Sequence, residues 1–236
     1  MPLNKVNPKS NMYSFLNDYP KKGRNRGYTW NTVKGKCPHD TEYGYCYMKK
    51  WGEQPELHFD EKELKTNLGE GNFIFTGSSC DLFADKIPLQ WIQDTLEYCC
   101  KFDNRYLFQS KNPERIIKNQ HRLPCDVIIG TTIESNKTFK EMCNAPSPYD
   151  RAKAMKMLHF LGYKTMLTIE PICDFDLDSM VELIQTCKPN WINIGANTNS
   201  KVRLQEPEPE KVMALIDRLK NFTNVKIKKN LKRIIK

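Results

Sequence analysis

Residues 126–133 read DVIIGTTI, a nearly unbroken run of β-branched and apolar side chains. A strand with one wet face alternates apolar and polar residues. A continuous apolar run means that both faces are covered, as in a parallel sheet flanked by helices. Four further runs have the same character: NFIFTG at 72–77, RYLFQS at 105–110, KTMLTIEPI at 164–172 and WINIGA at 191–196. A first strand is expected around Tyr28 to Val33. Between the runs the apolar period becomes helical. Pro88 opens a helix in which Trp91, Ile92, Thr95, Leu96 and Cys99 share a face. Ser147 and Pro148 form a cap and first-turn pair, Ala152, Met155 and Leu158 share the next face, and Gly162 is the stop. Leu177, Met180, Val181, Ile184 and Cys187 mark another helix. Pro209 begins the last, through Val212, Met213, Leu215, Ile216 and Leu219. Strands alternating with helices predict an α/β fold with a parallel sheet, either doubly wound or a barrel, complete or partial. No GxGxxG follows the first strand and no Walker motif occurs, which argues against a Rossmann or P-loop nucleotide site.

Each apolar run ends in polar residues. They are Ser78, Ser79 and Asp81; Gln109, Ser110 and Lys111; Thr131, Thr132 and Glu134; Thr168, Glu170 and Pro171; and Gly195, Ala196 and Asn197. In a parallel barrel these ends meet at one mouth, where such folds place their sites. The stretch CPHDTEYGYCY, residues 37–47, follows the first strand and belongs at the same mouth. Its two cysteines suit a soft metal centre. Iron–sulfur clusters are held by thiolates, whereas zinc would take Cys37, His39 and Cys46 as thiolate and imidazole ligands.

Several motifs together carry a resemblance. TWNTVKGKCPHDTEYGYCYMKKW, GSSCDLFADKIP, YLFQSKNPERI, IGTTIESN and APSPYDRAKAMKMLHFLGYKTMLTIEPI resemble, in order, the segments of radical SAM proteins of the spore photoproduct lyase-like branch. They are closer still to a short, uncharacterised, phage-associated family of radical-SAM-like proteins. The likeness runs from about Gly27 to Ala196 and less specifically to the C-terminus. It implies a partial (β/α) TIM-like barrel of about six parallel strands, with residues 1–26 as a basic N-terminal extension and residues 27–236 as the barrel. It also implies a [4Fe–4S] cluster that binds S-adenosyl-L-methionine and cleaves it to a 5′-deoxyadenosyl radical, together with an electron donor. Carried over residue by residue, Cys37 and Cys46 match the first and last cluster cysteines, and Tyr47 the aromatic residue beside the adenine. Ser78, Ser79 and Asp81 match second-strand positions facing the cluster and cofactor. Lys111 matches a lysine placed for the cofactor carboxylate, and Thr132 and Glu134 ribose or methionine contacts.

The chain departs from the family's CxxxCxxC spacing. Thr41 stands where the middle cysteine belongs, and the loop is longer than usual. Cys80, Cys173 or His39 could supply the third ligand, or the cluster has been lost. The alternatives are therefore a cluster-free degenerate barrel acting as a binding module, or a zinc-binding nucleic-acid-binding protein.

Composition sets the outer bounds. The 236 residues carry a net charge of +9, with 39% apolar and 28% charged residues, so a core is affordable and wholesale disorder is not expected. The excess charge lies in YPKKGRNRGYTW near the start and KIKKNLKRIIK at the end. Basic residues interleaved with aromatics suit a nucleic acid or nucleotide partner, and the C-terminal run reads as a solvated tail. An open barrel side could also take a protein partner. Nine cysteines without a signal peptide or a span-length apolar run point to the cytoplasm and to no membrane partner, with Cys99, Cys100 and Cys187 as small buried hydrophobes.

Overall fold

The computed structural model describes residues 3–6 and 27–236. The apolar runs form strands β5 (Phe73–Thr76), β6 (Arg105–Gln109), β7 (Val127–Thr132), β8 (Lys164–Ile169) and β9 (Trp191–Ile194). They follow β1 (Asn4–Lys5), β2 (Gly27–Trp30), β3 (Val33–Lys34) and β4 (His58–Phe59), and β10 (Asn224–Ile227) comes last. One sheet has the order β1-β2-β5-β6-β7-β8-β9-β10, while β3 and β4 form a separate antiparallel pair. From β2 to β10 all neighbours are parallel; only β1, at one edge, is antiparallel. Asn4 and Lys5, inside the segment expected as an extension, thus pair with Thr29 and Tyr28. The basic aromatic stretch from Tyr19 to Arg26 lies outside the described residues.

The helices are α1 (Leu89–Cys99), α2 (Pro113–Lys118), α3 (Pro148–Phe160), α4 (Leu177–Cys187) and α5 (Pro209–Lys220). The Ser147 hydroxyl accepts the Asp150 N–H at 3.1 Å to start α3, and Gly162, at φ +88°, ends it. Alternate side chains of each strand go to opposite faces. Ile74, Tyr106, Phe108, Ile129, Leu167 and Ile192 join the helices' apolar faces in the main core. Phe73, Phe75, Leu107, Ile128, Met166 and Trp191 form a second cluster. Both faces are therefore dry, as the unbroken apolar runs require. Each fully buried Ile or Leu contributes roughly 1.5–3 kcal/mol of transfer free energy. The result is a partial TIM-like barrel.

The described residues hold seven parallel strands, one beyond the expectation. The extra strand, β10, lies in the C-terminal stretch that its charge marks as a solvated tail. Val225 and Ile227 alternate there with Lys226 and Lys228, the period of an edge strand, and three lysines in four residues, 226–229, conceal it.

Candidate functional site

The carboxyl ends of the parallel strands open onto one cavity of about 770 Å³, large enough for a small cofactor with space beside it. Ser78, Ser79, Asp81, Lys111 and Thr132 line it, as do Gln109, Thr168 and Glu170. The cysteine loop forms a further wall through Cys37, His39, Tyr45, Cys46 and Tyr47.

That loop is built from tight turns. The Asp40 N–H donates to Cys37 O at 2.9 Å and the Gly44 N–H to Thr41 O at 3.0 Å. Lys49 Nζ caps the turn by donating to Thr41 O and, at 2.9 Å, to Glu42 O. At its base Gly35 has φ +97°, and a Cβ there would lie 2.3 Å from Glu56 O, so only glycine fits.

Several side chains fasten the loop to the strand ends. Asn31 Oδ1 accepts from the Ser79 N–H at 3.0 Å and from Ser78 Oγ at 3.2 Å, and the Tyr47 hydroxyl donates to Ser78 O. Asp81 is saturated. It accepts the Phe83 N–H at 2.9 Å, the Lys111 N–H at 2.8 Å and Ser110 Oγ at 3.0 Å, and its Oδ2 lies 3.1 Å from His39 Nε2. Burial would raise the Asp81 carboxyl, but His39 and the backbone donors outweigh it and hold it below the usual carboxylate range. Burial likewise works against a charged His39, and Asp81 prevails, so the imidazole titrates above its ordinary value.

Glu134 is fully buried and does not line the cavity. Its Oε2 accepts Arg151 Nη1 at 2.8 Å, its Oε1 lies 2.9 Å from Lys111 Nζ, and the Tyr45 hydroxyl donates to Oε1. Against the burial penalty, Arg151 and then Lys111 drive its carboxyl far below the ordinary range. Lys111 reaches the wall, but its ammonium is held by Glu134, by the Tyr45 hydroxyl and ring, and by Cys143 Sγ at 3.2 Å. Of the residues expected to touch a cofactor, the structure brings Tyr47, Ser78, Ser79, Asp81, Lys111 and Thr132 to the cavity wall and keeps Glu134 behind it.

The thiols divide in the same way. Cys37 and Cys46 are half-buried on the wall. Cys80 is buried beside Cys37, and hydrogen bonding from its thiol brings Cys37 down to about 7 against the opposing effect of burial. Burial pushes Cys46 up. Cys173 sits elsewhere, its N–H donating to Glu134 O at 3.0 Å. His39 sits with Nδ1 3.3 Å from Asn144 O and Nε2 3.1 Å from Asp81 Oδ2. Among the described residues no three His, Cys, Asp or Glu side chains gather as ligands of a single metal ion.

Sequence reasoning passed over Tyr45, Cys143, Arg151 and the C-terminal trio Lys228, Lys229 and Asn230, which lines the cavity. Lys228 is buried and paired with Glu170, and Asn230 Nδ2 donates to Glu170 Oε1 at 2.7 Å. Gly195 makes room for that pair, because a Cβ there would stand 2.7 Å from Glu170 Oε1. The alternation in 224–228 was the available signal.

Parallel strands with a cysteine loop after the first of them decide the structural comparison. The chain shares its fold with spore photoproduct lyase. A point mutant of that lyase matches with a TM-score of 0.58 at 14% identity, over 84% of this chain and 76% of that one. The lyase with bound AdoMet and dinucleoside spore photoproduct gives 0.51 at 13%, over 83% and 61%. SuiB of Streptococcus suis gives 0.52 at 11%, over 84% of this chain and 48% of SuiB. At such identities the likeness is one of fold. No family model matches the sequence, and no curated protein does.

Proposed function

We propose that this chain is a radical SAM-type protein whose loop thiols Cys37 and Cys46 hold an iron–sulfur cluster, with S-adenosylmethionine in the adjoining cavity. The observation that carries this reading is the position of both thiols on the wall of a cavity of about 770 Å³ at the carboxyl ends of the parallel strands. The donor set fits a cluster better than a lone ion. The cysteines of a cluster bind different irons, so they need not converge on one point as zinc ligands must. Once bound, such a cluster supplies the electron that splits S-adenosylmethionine to a carbon radical.

The chain's own residues bind and orient. Gln109 Oε1, Thr168 Oγ1 and Asn230 Oδ1 are buried, face the cavity and lack partners among the described residues. An unmet buried polar atom costs about 1–3 kcal/mol, so each favours a ligand that brings its own N–H or O–H groups. Lys111, kept charged by Glu134 and held at the wall by Glu134, Tyr45 and Cys143, gives the cavity a positive field that favours an anionic group without donating to it. Glu134 therefore acts through Lys111 and not by contact.

The substrate in this reading is a nucleic acid or nucleotide. Trp51, 77% exposed, stands on the rim with Lys50 and Lys229. An aromatic face among cations suits a stacked base and its phosphate. The motif resemblance to the spore photoproduct lyase-like branch agrees with such a substrate. The reading puts the protein in the cytoplasm, where thiols stay reduced, served by an electron donor. No described helix is long and apolar enough to cross a membrane.

Anaerobic reconstitution with iron and sulfide tests the proposal. The expected product is brown, absorbs near about 400 nm and holds about four irons per chain. Cys46→Ala should lose that iron, and dithionite with S-adenosylmethionine should yield 5′-deoxyadenosine only from the unsubstituted protein. Thr41 at the middle-cysteine position supports a second reading, a cluster-free binding module. A colourless chain that takes up no iron would establish that reading and refute the first.

A further inference from the structure

We infer that the cavity selects guanine as the base of its nucleotide substrate, and that a row of three acceptors, Gln109 Oε1, Thr168 Oγ1 and Asn230 Oδ1, reads the N–H edge of that base. The inference rests on the nucleotide reading above and names the base.

The acceptors lie along one continuous row. Gln109 Nε2, from β6, donates to Thr132 Oγ1 on β7 at 3.3 Å. Thr132 is the register partner of Thr168 on β8, and neighbouring strands lie about 4.8 Å apart. Glu170 follows two residues after Thr168, and its Oε1 accepts from Asn230 Nδ2 at 2.7 Å. Gln109, Thr132, Thr168, Glu170 and Asn230 all line the cavity of about 770 Å³. On β9 the row continues to Asn193, the register partner of Thr168, which is fully buried and does not line the cavity.

The polarity of the row follows from the bonds its members already make. Asn230 Nδ2 donates to two groups that only accept, Glu170 Oε1 and, at 2.8 Å, Ala196 O. Its Oδ1 is therefore the atom left for a ligand. Gln109 has its amide nitrogen engaged with Thr132, which leaves Oε1. The three oxygens are buried and have no partner among the described residues. No ammonium, guanidinium or amide of the wall reaches them, although Lys228 stands close by on Glu170.

Water can meet a single acceptor of this kind. A row of them on an open wall is met together by a planar edge with consecutive donors. Guanine carries such an edge, with N1–H beside the two hydrogens of its amino group. Thymine and uracil set one N–H between two carbonyls, and adenine and cytosine set a ring nitrogen beside the amino group. Each of these would turn an acceptor toward an acceptor, and bases taken out of a stack are read along this edge. Lys50 and Lys229 are exposed and line the same cavity, where they suit the phosphate.

The test is calorimetry on the full chain with guanosine, inosine, adenosine and thymidine 5′-monophosphates. Inosine monophosphate differs from guanosine monophosphate only in lacking the amino group. Guanosine monophosphate should bind about tenfold or more tighter than each of the others. Thr168→Val keeps the shape and removes an unmet hydroxyl. It should weaken guanosine monophosphate about fivefold or more without lowering Tm, and Asn230→Ala should weaken it as well. S-adenosylhomocysteine added first should leave that affinity within about twofold. Equal affinity for the four nucleotides, or unchanged affinity in both variants, overturns the inference and leaves the nucleotide reading standing. A lower Tm in Thr168→Val would show that the hydroxyl has a structural partner, and displacement by S-adenosylhomocysteine would assign the row to the cofactor; either result overturns the inference too. No binding of any nucleotide overturns both the inference and the nucleotide reading, while iron uptake decides the cluster separately.

Discussion

Replacing Glu134 by Gln removes one charge from the most deeply buried ion network of the site. The side chain is 0% exposed, its two oxygens lie 2.8 Å from Arg151 and 2.9 Å from Lys111, and the Arg151 side chain is itself only 3% exposed. Glutamine keeps the shape and strands both cations. Breaking a buried pair in this way costs about 3–5 kcal/mol. Typical total stability is roughly 5–15 kcal/mol, and for a chain of this length each kcal/mol shifts Tm by roughly 2–4 °C. Glu134→Gln should therefore melt about 6–20 °C lower at pH 7. The pH dependence has a definite sign. The folded-state value of Glu134 is depressed below 4.5, so its stabilisation is complete above that pH and is lost as the pH falls below it. The gap between the two proteins should be widest at neutral pH and close as the medium is acidified below about 4.5. Urea or thermal melts across that range provide the assay. A variant within about 1 kcal/mol of the unsubstituted protein at pH 7, or a gap that does not change with pH, would refute the account of Glu134 as the counter-ion that sets the wall.

Two further predictions follow from the loop and the rim. Gly35→Ala puts a Cβ 2.3 Å from Glu56 O at φ +97°, so the base of the cysteine loop must shift. We expect a loss of about 1–3 kcal/mol in urea unfolding and weaker iron uptake, and an unchanged midpoint would contradict the geometry. Trp51→Ala, at a side chain 77% exposed, should leave stability within about 0.5 kcal/mol. It should weaken single-stranded oligonucleotide binding by about 1–3 kcal/mol, and affinity of the unsubstituted protein should fall steeply with salt. Equal affinities measured by fluorescence anisotropy would exclude the ring as a stacking surface.

The strands and helices were legible because their signals are local. DVIIGTTI and its four companions are apolar on consecutive positions, and a chain can satisfy that pattern only by burying both faces. The caps at Ser147 and Gly162 are equally local. β10 was not legible from charge, since its lysines are amphipathic: Lys228 buries its stem and pairs with Glu170. The roles of the acidic residues were hidden too. Asp81 and Glu134 end their strands as a site would require, yet Asp81 is saturated by four partners and Glu134 is sealed behind the wall by Arg151 from α3.

By itself, the sequence determined the parallel α/β architecture, the mouth where the strands end and the cysteine loop that belongs there, because periodicity, caps and spacing act within a few residues. Only the tertiary structure decided which polar side chains reach the cavity and which hold one another. It also decided that Thr41 turns back into the loop and away from the large cavity. The reason is physical: a hydrogen bond or an ion pair between elements depends on how the strands stack, and residues far apart in the chain carry no record of their distance until the sheet is formed.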